Sequence, residues 1–222
     1  ISKLFDIGKA YSENFLFLFD HAYLIHDFLP TKEQIPTWKL AESMGVSNQT
    51  VVVTSFSKVT FGGGGLSFMA ASGKNLELIK RMRASMIICP DKINQQRHVE
   101  FFKNDQVIET HMSKHADLIK PKFEIAYKAL KSISSDYGNF SKPTGGYFIT
   151  YTTTKPIALE VISLCSSAGV LITPAGATFP KGIDPNNNVI RIAPTFVNEE
   201  DLEVAMDVFV TAIQVAHLDL TV

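Results

Sequence analysis

The residues best able to do chemistry lie in Thr50-Val-Val-Val-Thr-Ser-Phe-Ser-Lys-Val-Thr-Phe, which is followed by glycine at 62 to 65. A β-branched strand runs out into Ser55, Ser57 and Lys58. Ligands of open α/β sheets sit beyond the carboxyl ends of strands, so Lys58 falls where binding is expected. An amine partly desolvated at such a place sheds its proton readily and suits Schiff-base chemistry. The glycines let backbone approach a ligand closely and take positive φ. A surface lysine ahead of a flexible turn explains the same residues equally well. A phosphate-binding P-loop does not, because its lysine follows the glycines and Lys58 precedes them.

Other positions carry weaker signals. Asp20 ends an aromatic run, where a turn residue is the simple explanation, and Tyr23 is by itself an ordinary half-buried aromatic. Arg191 stands between Val189-Ile190 and Ile192-Ala193, and a guanidinium in so apolar a strand needs an anion or an acidic partner. His111 and His115 are spaced to share a helix face, as two metal ligands are. The Met-Ser-Lys between them lacks the glutamate of H-E-x-x-H, so a solvated face with Lys114 is expected and no metal site. Lys92 and Arg97 suit the distal carboxylate of a dicarboxylate, or simply a solvated helix.

The elements that must position these residues alternate in type. Short apolar runs predict strands at Phe15–Phe19, Thr50–Thr54, Leu66–Ala70, Gly146–Tyr151, Val170–Thr173 and Val189–Ile192. Longer periodic stretches predict helices near 36–45, 74–84, 92–132, 155–168 and 198–217. Asn104-Asp105 and Pro121 are expected to break or kink the third. Asn198 followed by Glu199, Glu200 and Asp201 supplies the last helix with a cap and an acidic first turn. The alternation predicts an α/β fold with a mainly parallel sheet. Two domains are expected, 1–110 and 111–222, joined through the long helical stretch.

Composition narrows the function classes. Hydrophobic residues make up 45% of 222 and charged residues 19%, which describes a globular chain. A net charge of −1 provides no global field toward nucleic acid or an anionic membrane, so any anion must be held by local donors. The apolar run Phe15–Phe19 is too short to span a bilayer. Cys89 and Cys165 belong to no metal spacing and suit a reducing cytoplasm. The chain starts at Ile1, and upstream sequence is expected to be missing, whether by fragmentation, processing or incompleteness.

Ser55-Phe56-Ser57-Lys58 resembles the S-x-S-K signature of fold-type I pyridoxal phosphate (PLP) enzymes. Phe17-Leu18-Phe19-Asp20-His21-Ala22-Tyr23 is similar to that family's strand ending in D-x-A-Y, at a similar distance from the lysine. Arg191-Ile192-Ala193-Pro194-Thr195-Phe196 resembles the segment whose arginine binds the substrate α-carboxylate. Further stretches are similar to the Ic subgroup of aspartate aminotransferases: Ser57–Phe61, Pro90–Gln95, Thr173–Pro180 and the Arg191 segment. The resemblance covers nearly the whole chain in the right order.

It implies the C-terminal part of an aminotransferase: the end of a PLP-binding large domain, then a smaller α/β domain. Lys58 would hold PLP as a Schiff base and move a proton during the reaction. Asp20 would pair with the ring nitrogen, Tyr23 would donate to the phenolic oxygen, Ser55 and Ser57 to the phosphate, and Arg191 to the α-carboxylate. The implied reaction moves an amino group between an acidic amino acid, L-aspartate first, and a 2-oxo acid, 2-oxoglutarate first, in a cytoplasmic homodimer. A PLP-dependent lyase or decarboxylase, or a non-catalytic sensor domain of a transcription regulator, are the alternatives. One departure stands out: many related enzymes have a phosphate-binding arginine where this chain has Leu66. The family's pyridine-side asparagine, ring-stacking aromatic and phosphate loop lie upstream of Asp20, so this chain alone is expected to bind PLP weakly or not at all.

Overall fold

The computed structural model describes residues 1–29 and 36–219. The chain divides into two units, Ile1–His26 with Pro30–Met112, and Asp27–Leu29 with Ser113–Val222.

Unit 1 begins with helix α1 (Ser2–Tyr11) and strand β1 (Phe17–Asp20), then α2 (Thr37–Ser43), β2 (Thr50–Ser55), β3 (Ser67–Ala71), α3 (Gly73–Met86) and α4 (Lys92–Phe102). Its sheet has the order β1-β2-β3. β1 pairs with β2 in parallel and β2 with β3 antiparallel, so the expected parallel sheet meets one pair of each kind here. One small core joins Phe5 of α1 and Phe17 of β1 to Ala41 and Val46. Gly8 of α1 is required by that packing, because a Cβ there would fall 2.2 Å from the Phe17 ring. A second cluster holds Val59, Phe102 and Met112. The sequence patterning had not suggested α1, whose buried face is only Phe5 and Gly8.

The helical stretch expected over 92–132 breaks at Asn104-Asp105 as those residues predict, giving α4 and α5 (Asp105–Lys131). Lys103 turns to φ 49°, and Asn104 Oδ1 then accepts from Val107 N at 3.1 Å, capping the new helix. Pro121, expected as a second break, sits inside α5 without ending it. Buried Ile119 and Phe123 flank it in the core of unit 2, and that packing offsets the one hydrogen bond a proline cannot donate.

Unit 2 adds β4 (Gly138–Phe140), β5 (Ile149–Thr153), α6 (Ala158–Ser167), β6 (Val189–Ile192) and α7 (Glu199–Asp219). The sheet order is β4-β5-β6, antiparallel throughout. Alternation along β5 and β6 sends Ile149, Tyr151, Ile190 and Ile192 into a core shared with Phe123, Leu130, Phe209 and Ile213. Burial raises the Tyr151 hydroxyl to a pKa of about 12 and the Cys165 thiol to about 11. Asn198 Oδ1 accepts from Asp201 N at 2.8 Å, the cap that α7's sequence announces. The strand expected from Gly146 starts three residues later, because Gly146 turns at φ 80°. The strand expected at Val170–Thr173 does not form. After Gly169 turns at φ 86°, Val170 and Ile172 pack against the core as loop residues, so their apolar character serves packing without a ladder.

Candidate functional site

The parallel register Asp20↔Val53 brings the carboxyl ends of β1 and β2 to one edge of the unit 1 sheet. His21 N continues the ladder to the Val53 carbonyl at 2.8 Å, and Thr54 Oγ1 donates to the His21 carbonyl at 3.2 Å. Asp20 is exposed there, and its Oδ1 accepts from Ala22 N at 2.9 Å, bending the chain into the turn that carries Tyr23. Beyond β2 the chain makes one helical turn, with Val59 N and Thr60 N both donating to the Phe56 carbonyl at 3.0 and 2.9 Å. Lys58 leaves this turn exposed, and its Nζ lies 4.5 Å from the centroid of the Tyr23 ring. A cation at that distance from a π face is held by the ring quadrupole, so Tyr23 directs the amine.

The hydroxyls gather beside it. Ser55 Oγ donates to Ser57 Oγ at 2.9 Å and accepts from Ser57 N at 3.1 Å. Ser67 Oγ donates to Ser55 Oγ at 3.5 Å; Ser67 faces Ser55 in the β2–β3 register. That third serine went unnoticed in the sequence, where nothing marks a residue as the cross-strand partner of another. Gly65 allows this approach, since a Cβ on it would stand 2.3 Å from Ser57 N. Gly63 turns at φ 78°. Leu66, at the position of the absent arginine, is half-buried, and its carbonyl accepts from Phe56 N at 2.8 Å.

One expectation about flanking residues changes. His111 and His115 are not a solvated face: His111 Nε2 donates to the Val59 carbonyl at 2.7 Å in unit 1, and His115 Nε2 lies 3.2 Å from the Tyr147 hydroxyl in unit 2. Both rings are half-buried because aromatic neighbours cover them, Phe101 and Phe102 for His111 and Tyr147 for His115. Lys92 and Arg97 stay on the exposed side of α4, the Arg97 guanidinium 4.9 Å over Phe61. Among the described residues, no group of three or more His, Cys, Asp or Glu side chains is placed to hold a metal.

Arg191 belongs to unit 2, on β6, and is half-buried. Its Nε donates to Thr173 Oγ1 at 3.4 Å and its guanidinium lies 4.3 Å from the Phe148 ring centroid. Among the described residues no carboxylate is within ion-pair distance of it. The fork is therefore oriented by a hydroxyl and a ring, with no carboxylate of the described residues paired to it. The strand that carries it is fixed from below by Asp184. Burial raises the Asp184 pKa, and donation from the backbone of Val189, Asn186, Asn188 and Asn187 outweighs this, leaving it below the ordinary carboxylate value.

No helix among the described residues is long and apolar enough to cross a membrane. The chain is 33% identical to an aspartate aminotransferase of Corynebacterium glutamicum, over 97% of its own length and 51% of the relative's. The solved structure of an aspartate transaminase from the same organism superposes with a TM-score of 0.86 at 33% identity, covering 91% of this chain and 48% of that one. The α-aminoadipate aminotransferase of Thermus thermophilus, solved with N-(5'-phosphopyridoxyl)-L-leucine, is only 18% identical and shares the fold, with a TM-score of 0.80 over 97% of this chain and 54% of that one. The chain thus spans about half the length of the relatives it matches. With the fold-type I architecture in place and the family model described as aspartate amino-transferase matching residues 3–221, the chain belongs to the aspartate amino-transferase family.

Proposed function

We propose that this chain supplies the lysine half of the pyridoxal phosphate site of an aminotransferase acting on an acidic amino acid, L-aspartate first, and a 2-oxo acid, 2-oxoglutarate first. The observation that carries the reading is the exposed Lys58 amine, 4.5 Å over Tyr23, at the strand edge that Asp20 shares. The donor set fits the cofactor: an amine for its aldehyde, a carboxylate for its ring nitrogen, and converging serine hydroxyls for its phosphate. When bound, pyridoxal phosphate supplies an electron sink for the carbon that bears the amino group.

The chain's own residues do the rest. Lys58 would hold the cofactor through its amine and would serve as the base that moves the proton at the substrate Cα. Asp20, whose Oδ1 accepts from Ala22 N, would pair with the ring nitrogen and keep it protonated. Tyr23 donates its hydroxyl to the phenolic oxygen. Ser55, Ser57 and Ser67 donate to the phosphate, with backbone N–H groups of the glycine run in place of the missing arginine. Arg191 grips the substrate α-carboxylate through its two-pronged fork. Unit 1 is then part of the cofactor-binding large domain and unit 2 the small domain of a cytoplasmic homodimer. The free thiols of Cys89 and Cys165 support a reducing compartment.

The test follows the cofactor's visible absorbance in the full-length protein while aspartate is added without an oxo acid. Conversion to the pyridoxamine form is expected. No spectral change with any amino acid would sink the enzyme reading.

A further inference from the structure

We propose that His26, His98 and His111 form a clamp on residues 58 to 60 that positions the Lys58 amine, an inference that rests on Lys58 being the cofactor anchor. The turn after β2 is a single helical turn, and such a turn leaves its last carbonyls without partners in the chain's own ladder. Each of three consecutive residues is instead met by a histidine from a different element. His26, in the turn after β1, lies with Nε2 3.3 Å from the Lys58 carbonyl. His111, on α5, lies with Nε2 2.7 Å from the Val59 carbonyl. His98, on α4, lies with Nε2 3.2 Å from Thr60 Oγ1.

A carbonyl can only accept, so Nε2 carries the proton in both His26 and His111. His98 works the other way. Its Nδ1 faces the Asn94 carbonyl at 2.9 Å and must donate, so the neutral ring accepts at Nε2 from the Thr60 hydroxyl. That hydroxyl has one proton and also lies 3.0 Å from the Phe56 carbonyl, so it serves one acceptor at a time. His26 and His98 are buried and His111 is half-buried, so none of the three is a solvated side chain. Aromatic rings brace them: Phe56, Phe61 and Phe102 around His98, and Phe101 and Phe102 around His111. His26 also touches the Tyr23 ring at 5.6 Å, the ring that faces Lys58 Nζ. The lysine is therefore fixed at its carbonyl and directed at its amine through one histidine–tyrosine pair, while the amine itself stays exposed.

Fixing the backbone on both sides of a reactive amine raises its effective concentration toward its target, and displacements of about 1 Å cost about a hundredfold in rate. The clamp residues touch no reacting atom and are positioning residues. The test uses the full-length protein loaded with pyridoxal phosphate. Borohydride reduces the linkage at Lys58 to a stable secondary amine, and peptide mass analysis gives the fraction of bound cofactor attached there. His111→Phe keeps ring volume and removes the donor; His111→Gln keeps an N–H near the Nε2 position. The expected result for H111F is an attachment equilibrium about tenfold lower. Its kcat should be about tenfold to a hundredfold lower, with KM for the amino acid within about threefold. H111Q is expected to recover most of both.

Attachment and kcat within about twofold of wild type in a folded H111F would overturn the clamp, as would an H111Q no better than H111F. Should H111F fail to fold, Thr60→Val removes the hydroxyl that meets His98 Nε2 and the Phe56 carbonyl and is expected to lower attachment about threefold; an unchanged value there overturns the proposal equally. Absence of trapping at Lys58 in the wild type is a different outcome, and it overturns the anchor reading on which the clamp depends.

Discussion

The two units divide the work unevenly. Unit 2 is built round one continuous core in which one face each of α5 and α7 and the inner face of the sheet take part. Unit 1 has two small clusters and leaves many large apolar side chains of β1, β3 and α3 exposed, Leu18, Phe68, Met69 and Met82 among them. Yet the polar groups of the candidate site, Asp20, Ser55, Ser57 and Lys58, gather in unit 1 at and beyond the carboxyl ends of β1 and β2. The difference teaches that the candidate site rests on a small hydrophobic cluster, Val59, Phe102 and Met112, and not on a continuous core. Short polar contacts hold it: serine to serine, histidine to carbonyl, carboxylate to backbone N–H. Arg191 is the counterpart in unit 2, a single charged side chain held by an otherwise apolar strand.

A pair of substitutions is expected to show the division most strongly. Lys58→Ala should lower transamination by at least about a thousandfold. Its unfolding free energy should stay within about 0.5 kcal/mol of wild type, because the side chain is exposed. Phe209→Ala, at the centre of the unit 2 core, should cost about 3–5 kcal/mol in denaturant unfolding. A K58A protein as destabilised as F209A would break the comparison.

Arg191→Lys sharpens it from the other side. The charge is kept while the planar fork, its donation to Thr173 and its stacking on Phe148 are lost. The kcat/KM for amino acid should fall about tenfold to a hundredfold, since hydrogen bonds to charged groups are worth about 1.5–3 kcal/mol. Equal kcat/KM in R191K would show that the guanidinium is structural. Asp184→Ala should act more weakly and through stability, by about 2 kcal/mol, because the carboxylate accepts from Asn186, Asn188 and Val189 at 2.8 to 3.0 Å just before β6. Its folded pKa is depressed, so this contribution is present above the unfolded value near 3.8 and is lost as pH falls through the folded one. Denaturation at pH 7 and at pH 3 checks both size and sign.

Much of this arrangement was legible from residue order alone. β6 runs over Val189–Ile192 as its β-branched run predicts, and β2 delivers Ser55, Ser57 and Lys58 to a strand end as the sequence implies. Patterning worked where one element's own residues decide its state. It failed where the deciding partner is remote. Val170–Thr173 reads as a strand, but among the described residues it pairs with no strand, and Val170 and Ile172 pack partly buried against the core while Leu171 is exposed. β4, three residues long, is too short for any period to show and exists because β5 offers it a ladder. The histidine contacts join residues 32, 38 and 52 positions apart, and no local spacing announces a side chain that will meet a distant carbonyl.

The smallest expected effect separates the units by pH. His217, near the end of α7, stacks on Tyr137 with ring centroids 4.2 Å apart, and its Nδ1 is buried without a hydrogen-bond partner. Burial lowers its pKa, the nearby Lys155 lowers it further, and Asp136 opposes both. Its folded pKa therefore lies below the unfolded value of 6.5, and the unfolded chain takes up the proton first on acidification. Stability from this residue is complete above pH 6.5, falls as pH drops from there to the lowered folded value, and is level below it. Solvent screening should keep the loss under about 1 kcal/mol. His217→Phe retains a ring on Tyr137 and removes the titration, so the variant minus wild-type difference in unfolding free energy should grow between pH 8 and pH 5. A wild type that gains stability over that range relative to H217F would mean that the imidazolium is stabilised in unit 2.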